Sequence, residues 1–416
     1  MLPDKYYIKN LSSYFQKTNF LPKKSNICII ILNYNNKKCI LQLAKYLDEV
    51  DCDVLIVDNN SNDNSYEELL NNYKDKFNLI QTNDNLGGAG GFGLGIQWVI
   101  ERDYEYCFVS EEDALPLKGD EDIFQEMLKY RDKNKIIVAK FYDVGLNSFN
   151  LHYTIYPTYI LKEAGTVNKD LFFRADDQEW GMRVRNVIKS KNLQIENYVV
   201  DRYYTHPLIK QGFGLFANYF SIRNVFIVYL KYPSKNFMFD YFINFTKYCS
   251  YSLFTKIFDN NNAPLKQFYY AFKDFLFNDL TKNKLRIEMF QKDKLEPKNY
   301  ELETLSFDEF YDRFQKHKVI TSSLKNKHFE KYNFSKKTYT GVISSKYNGV
   351  ARIKSLWYKN IIFVEEVNFI DKKISFFKYK NKNIFKSRFS IIVSIAISVM
   401  IGLFFMPTIM FKKIKS

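Results

Sequence analysis

"ICIIILN", residues Ile27 to Asn33, carries no charge and is dominated by β-branched side chains. A strand with one wet face alternates apolar and polar residues, whereas an unbroken apolar run reads as a strand covered on both faces. Two more runs of this kind follow, "VLIV" at 54–57 and "YCFV" at 106–109, with a shorter one, "NLIQT", at 78–82. Helical patterns separate them at 37–50, 65–77 and 93–104. Strand alternating with helix is the grammar of an α/β fold, a mostly parallel sheet flanked by helices. Ligands of such sheets bind beyond the carboxyl ends of the strands.

Polar residues crowd at those ends: "NYNN" after the first run, "DNNSND" after the second and "SEED" after the last. Turn chemistry accounts for each one singly. Three on one edge of one sheet imply a shared site. In "VSEEDALP", Glu111 and Asp113 are spaced i and i+2, so they leave a strand end on the same side while Glu112 points elsewhere, to a nucleotide or to solvent. Two such carboxylates can share a hard cation and leave positions open for phosphate oxygens.

The segment "NDNLGGAGGFGLG", Asn83 to Gly95, contains a G-x-G-x-x-G at Gly88, Gly90 and Gly93. An acid, Asp113, lies about twenty residues further on, so an NAD-dependent oxidoreductase is an alternative. The dinucleotide fingerprint belongs directly after a first strand, and here two strong strands precede it. What survives is simpler. Glycines let backbone N–H groups approach a ligand, and a helix start favours a diphosphate.

Composition bounds the rest. The 416 residues exceed most single domains and predict two or three. The net charge of +15 favours nucleic acid, anionic membrane or anionic substrates, and no nucleic-acid-binding module is legible. The charge is therefore assigned to an anionic membrane surface and to phosphate. The 32 Tyr and 39 Phe are more than an ordinary core uses, as in chains that meet glycans, lipids or partners. Five cysteines without a C-x-x-C read as reduced thiols of a cytoplasmic chain, and "MLPDKYYIKNLSSYF" lacks the apolar core of a signal peptide. Phe389 to Phe411 is uncharged. As a helix it is roughly 34 Å long, enough to span a bilayer, with Pro407 near its end. Lysines before and after it, heavier before, predict an anchor with that flank at the cytoplasmic face. A buried or surface-lying helix is the other reading.

The organisation expected is an extension at 1–25, the α/β domain at 26–230, a helical accessory region at 231–330 and a small β-rich basic appendage at 331–388 with a "YNG" turn. The anchoring helix at 389–411 completes it. The aromatic helices beyond 215 are read chiefly as core. The sequence leaves the oligomeric state open.

Taken in order, "ICIIILNYNN", "LIVDNNSND", "NDNLGGAGGFGLGI", "VSEEDALP", "RADDQEWGMRVR", "THPL" and "YFSIRN" resemble the family 2 inverting glycosyltransferases of the GT-A fold. The likeness is strongest to galactofuranosyltransferases and rhamnosyltransferase-like enzymes of surface-glycan assembly, over roughly residues 25 to 230. The resemblance implies a nucleotide-sugar donor, UDP-linked by analogy, a lipid-linked or oligosaccharide acceptor, and Mg2+ or Mn2+. It implies that Asn33, Asn35 and Asp58 lie by the nucleotide, and Gly87, Gly88, Gly90 and Gly91 by the diphosphate and sugar. Glu111, Asp113 and His206 would hold the metal, and Asp177, paired with Asp176, would be the general base. Glu at position 111 departs from the commoner Asp, and His206 also reads as a structural histidine beside Pro207. Asp176 and Glu179 are spaced as a capping box, with Glu179 and Arg183 as an i, i+4 ion pair. Arg183, Arg223 and Asn224 are read as support. A non-catalytic membrane scaffold is a further alternative.

Overall fold

A computed structural model describes residues 6–141, 151–210, 214–259, 261–291, 300–319, 341–345, 361–368, 371–379 and 384–415. The "YNG" turn, and Lys380 and Lys382 of the lysine-rich stretch before the last helix, lie outside them. The chain divides into two compact units, Met1–Pro207 and Leu208–Ser416.

The first unit is mixed α/β around one nine-stranded sheet. Its centre is parallel: β2 (Ile27–Asn33) lies between β3 (Asp53–Asp58) and β5 (Tyr106–Glu111), with β4 (Asn78–Thr82) outside β3. Every residue of β2, β3 and β4 is buried, as unbroken apolar runs require. Beyond β4 the antiparallel β1 (Phe15–Asn19) closes one edge. Beyond β5 come β8 (Thr154–Pro157), β7 (Lys135–Phe141), β9 (Glu196–Thr205) and the two-residue β6 (Leu115–Pro116). The antiparallel β8 enters where β5 ends, and β9 pairs antiparallel with β6. Strand starts and strand ends therefore meet at the carboxyl edge of the central strands.

Helix α1 (Lys37–Leu47) covers the core with Ile40, Leu43, Ala44 and Leu47. The glycine-rich segment is itself helical: α3 runs Gly87–Glu101 and is buried along most of its length. Its glycines permit close helix–sheet approach. A Cβ at Gly91 would stand 2.3 Å from Leu32 Cδ1, and one at Gly95 would stand 2.7 Å from Ile30 Cγ2. All five cysteines are free, four of them buried.

In the second unit, α7 (Gly214–Lys231), α8 (Phe237–Asp259) and α9 (Ala263–Leu276) share an aromatic core in which Phe226 meets Tyr241, Phe272 and Phe275. A buried polar network lies beside it. Asp274 accepts from Tyr219 Oη at 2.8 Å and from Arg286 Nε at 2.7 Å, and Arg223 donates to Asn283 at 2.6 Å and to Asn224 at 2.9 Å. Arg223 and Asn224 thus satisfy helix packing, a role that spacing alone did not suggest. A six-stranded sheet follows, in which Tyr300–Ser306 pairs antiparallel with Lys373–Tyr379. Helix Phe307–Phe314, started by a Ser306–Glu309 capping box, lays Phe310 and Phe314 on Phe376 of that sheet.

The last helix, Ile384–Lys415, continues through Pro407. Its stretch Ile392–Met410 has mean hydropathy 2.3 and, among the described residues, is the one helix long and apolar enough to cross a membrane. It packs on α8, where a Cβ at Gly402 would stand 3.1 Å from Phe245 and 3.2 Å from Phe242.

Candidate active site

Five of the expected side chains meet at the carboxyl edge of β5: Glu111, Asp113, His206, Asp176 and Asp177. Glu111 is the last residue of β5, and Asp113 occupies the turn into β6. β9 delivers His206 directly after Thr205, the partner of Leu115. His206 Nδ1 lies 2.8 Å from Asp113 Oδ1. Burial disfavours the imidazolium of His206, but the charge and hydrogen bond of Asp113 outweigh it and hold its pKa above the ordinary value. Burial likewise disfavours the Asp113 carboxylate, and His206 more than offsets it, so that pKa is lowered. Glu111 is pushed up to about 7, first by burial and then by the charge of Asp113.

His152, which motif order passed over, completes the group. It stands two residues before β8, with Nδ1 3.5 Å from Glu111 Oε2. Its ring is 5.8 Å from that of His206 and nearly perpendicular to it. Burial, then the neighbouring His206, pushes its pKa down to about 4, so it is a neutral ring at pH 7. One donor atom each from Glu111, His152 and His206 lies within 4.8 Å of the others. Carboxylate oxygen and imidazole nitrogen in such a group fit a divalent cation. Arg174, which opens "RADDQEWGMRVR" but takes no role from that motif, also faces the group; its charge lowers the pKa of Glu111.

The Asp176–Asp177 pair opens α6 (Asp176–Ser190). The expected capping box does not form. The N-cap position is Ala175, in the left-handed region at φ 58°, without a side-chain cap bond, so Asp176 already lies one residue inside the helix. Phe172 and Arg174 also have positive φ, 63° and 69°. Three non-glycine residues in that region within four positions make a strained lead-in of the kind that survives where the surroundings hold it. The holding contact is with α3: Ala89 N–H donates to Phe172 O at 3.1 Å, and Gly87, at φ +70°, leaves no room for a Cβ against the same carbonyl. As a result Asp176 Oδ2 stands 3.6 Å from where a Cβ on Gly88 would be. Gly88 therefore borders Asp176. Gly87, Gly90 and Gly91 are accounted for by contacts with Phe172, Leu86 and Leu32.

Burial pushes Asp176 up to about 7, helped by the charges of Asp177 and Glu111. Asp177 Oδ1 accepts the Gln178 N–H at 2.8 Å. The expected Glu179–Arg183 pair forms, with both side chains fully buried and Nη2 3.0 Å from Oε2. Arg183 Nη2 also donates to Thr166 O at 2.7 Å, which ties α6 to the segment ahead of it.

At the ends of β2 and β3 the polar residues chiefly bond one another. Asn33 Nδ2 donates to Asp58 Oδ2 at 2.9 Å, and Ser61 N–H to Asp58 Oδ1 at 2.9 Å. Asp58 is 1% exposed, so its carboxylate organises the turn. Asn35, at φ 50°, is exposed and accepts from Asn62 N–H at 2.8 Å. Glu112 points toward α1, where Asn36 Nδ2 lies 3.4 Å from Oε1.

Open α/β sheets take their ligands beyond the carboxyl ends of the strands, the edge at which these carboxylates and imidazoles gather. Residues 28–188 match the sequence model of the family described as Glycosyl transferase family 2. The matched stretch contains β2 through α6 almost to its end, and thus every residue of the cluster except His206. No curated protein sequence matches the chain. Among solved structures, one described as a candidate nucleotide-diphospho-sugar transferase from Desulfovibrio desulfuricans G20 is similar at 10% identity and TM-score 0.30. The likeness covers 61% of this chain and 99% of that one.

Proposed function

We propose that the chain is an inverting glycosyltransferase that moves a sugar from a nucleotide-diphosphate donor, UDP-linked by resemblance, to a hydroxyl of a lipid-linked or growing glycan. The carrying observation is the convergence of Glu111, Asp113, His206 and the Asp176–Asp177 pair at one sheet edge, within and directly after the stretch similar to family 2 glycosyltransferases. The resemblance leaves galactofuranose and rhamnose as the first sugars to try.

Glu111, Asp113 and His206 would hold Mg2+ or Mn2+, which when bound neutralises charge on the diphosphate leaving group. Asp177 takes the proton of the acceptor hydroxyl as the new glycosidic bond forms, because inversion needs a single base opposite the leaving group. Asp176, with its raised pKa, carries a proton part of the time at neutral pH, which limits repulsion between the pair. Asn35, exposed at the end of β2, and Gly88, beside Asp176, border the space for the nucleotide and sugar. Asn33 and Asp58 act by shaping the turn. The apolar helix at Ile392–Met410 would anchor the enzyme at the cytoplasmic face, where anionic lipid attracts the basic flank.

The test is a donor screen with the full chain, divalent metal and a lipid-extract acceptor. Metal-dependent release of nucleoside diphosphate, lost in Asp113→Ala and Asp177→Ala, is expected. Tight NADH binding without metal-dependent UDP binding would favour an oxidoreductase. Wild type as inactive as both variants across the panel would favour a scaffold.

A further inference from the structure

Glu111 and His152 are neighbours just beyond the end of the β5–β8 pairing. β5 and β8 are antiparallel, with Phe108 opposite Ile155 and Val109 opposite Thr154. The pairing ends there: Tyr153, at φ 38°, leaves the extended conformation, and the bend it makes sets His152 beside Glu111, two residues past Val109. The 3.5 Å between Glu111 Oε2 and His152 Nδ1 agrees with this. Two donors each about 2.1 Å from one ion stand roughly 3.0 to 3.4 Å apart, so the pair is already close to ligand spacing.

The segment bearing His152 is fixed to the strand bearing His206. Tyr153 is fully buried and stacks on Tyr204 with centroids 4.4 Å apart. Its hydroxyl donates to Ala114 O at 3.1 Å, in the turn that carries Asp113. One residue beyond Tyr153 the chain enters β8, and two residues beyond Tyr204 it reaches His206. A single aromatic stack and one hydrogen bond thus set the spacing of Glu111, Asp113, His152 and His206. A binding group held by its support in this way needs little rearrangement to close on an ion.

We propose that His152 is a metal ligand together with Glu111 and His206, and that this two-imidazole site selects Mn2+ over Mg2+. Mn2+ binds imidazole more weakly than the later first-row ions do, but of the two ions it accepts nitrogen more readily, because Mg2+ demands near-ideal octahedral oxygen coordination and gives up its waters reluctantly. The inference rests on reading the strand-edge cluster as a metal site, and it extends that reading to a fourth residue, His152, and to the choice of ion.

The probe is Mn2+ added to the purified full chain, followed by electron paramagnetic resonance, with pulsed detection of nitrogen coupling and with Mg2+ as competitor. Two coupled imidazoles are expected in wild type, with Mn2+ displaced only by Mg2+ in more than about tenfold excess. His152→Ala and the more conservative His152→Asn should each weaken Mn2+ binding by at least about tenfold and leave one coupled imidazole, with unchanged circular dichroism. One coupled imidazole in wild type overturns the proposal, whether or not the variants fold. So does equal Mn2+ affinity in wild type and folded variants. Binding of UDP-sugars is followed in parallel. Two coupled imidazoles without donor binding or cleavage uphold the site and overturn the glycosyltransferase reading. Donor cleavage with one coupled imidazole does the reverse.

Discussion

The imidazole of His206 and the carboxylate of Asp113 are joined by a 2.8 Å contact between Nδ1 and Oδ1. That contact should make the proposed metal binding pH-dependent. Asp113 raises the pKa of His206 over the opposing effect of burial, so the free protein holds the imidazolium to higher pH than a solvated histidine does. Glu111 holds a proton up to about pH 7. A metal ligand must be unprotonated, so protons compete with the ion below these pKa values and cease to compete above them. Mn2+ affinity should therefore rise between pH 6 and 8, with net proton release. Calorimetry in buffers of different ionisation enthalpy measures that release. A pH-independent affinity over this range would show that neither group binds the ion.

The close approach of α3 to β2 yields a prediction about packing. Gly91→Ala pushes a methyl into Leu32, and overpacking of this kind costs about 1–3 kcal/mol. Leu32→Ala opens space at the same point, so the double variant should lose less than the sum of the two single losses. Denaturant titration of the four proteins gives the coupling. Gly87→Ala has no such rescue, because its neighbour is the backbone carbonyl of Phe172 and its φ is positive.

The Glu179–Arg183 pair separates structure from chemistry in α6. Both side chains are fully buried, so Glu179→Ala leaves an uncompensated guanidinium and should cost about 3–5 kcal/mol. Thermal or chemical unfolding measures it. A loss under about 1 kcal/mol would mean that water reaches Arg183 in the folded protein.

Much of the fold was legible in the residues. The apolar runs at 27–33, 54–57 and 106–109 became the parallel centre of the sheet because nothing but burial on both faces suits them. The acids after "YCFV" meet His206 and the Asp176–Asp177 pair because the sheet gathers its strand ends on one edge. His152 was not legible, since it meets Glu111 only just beyond the pairing of β5 with β8, across more than forty residues of chain. The glycine run read as a ligand loop because glycine permits both backbone exposure and close packing. Only the positions of Leu32, Ile30 and Phe172 distinguish the two. Asp176 read as the cap of a helix and Asp177 as the general base, whereas the N-cap is the left-handed Ala175 and Asp176 lies inside the helix beside Gly88. Arg223 and Asn224 read as support without a role because Arg223, which donates to Asn224, finds its other partner Asn283 on another helix of the second unit.

The acidic pair gives the last prediction. Asp177→Asn keeps the shape and the bond from Gln178 N–H while removing the base. Transfer should fall by about 10²–10⁴-fold, the range that general-base groups supply, with Mn2+ and donor affinity nearly unchanged. Asp176 differs in being held near pH 7 by burial and by the charges of Asp177 and Glu111. Removing the Asp177 charge lowers that pKa, so Asp176 in the Asp177→Asn variant should ionise at lower pH. Isotope-edited infrared spectroscopy of the carboxylates reads this without any turnover. Full activity in Asp177→Asn would move the base to Asp176. The companion variant Asp176→Asn, assayed on the same donor and acceptor, would then carry the larger loss.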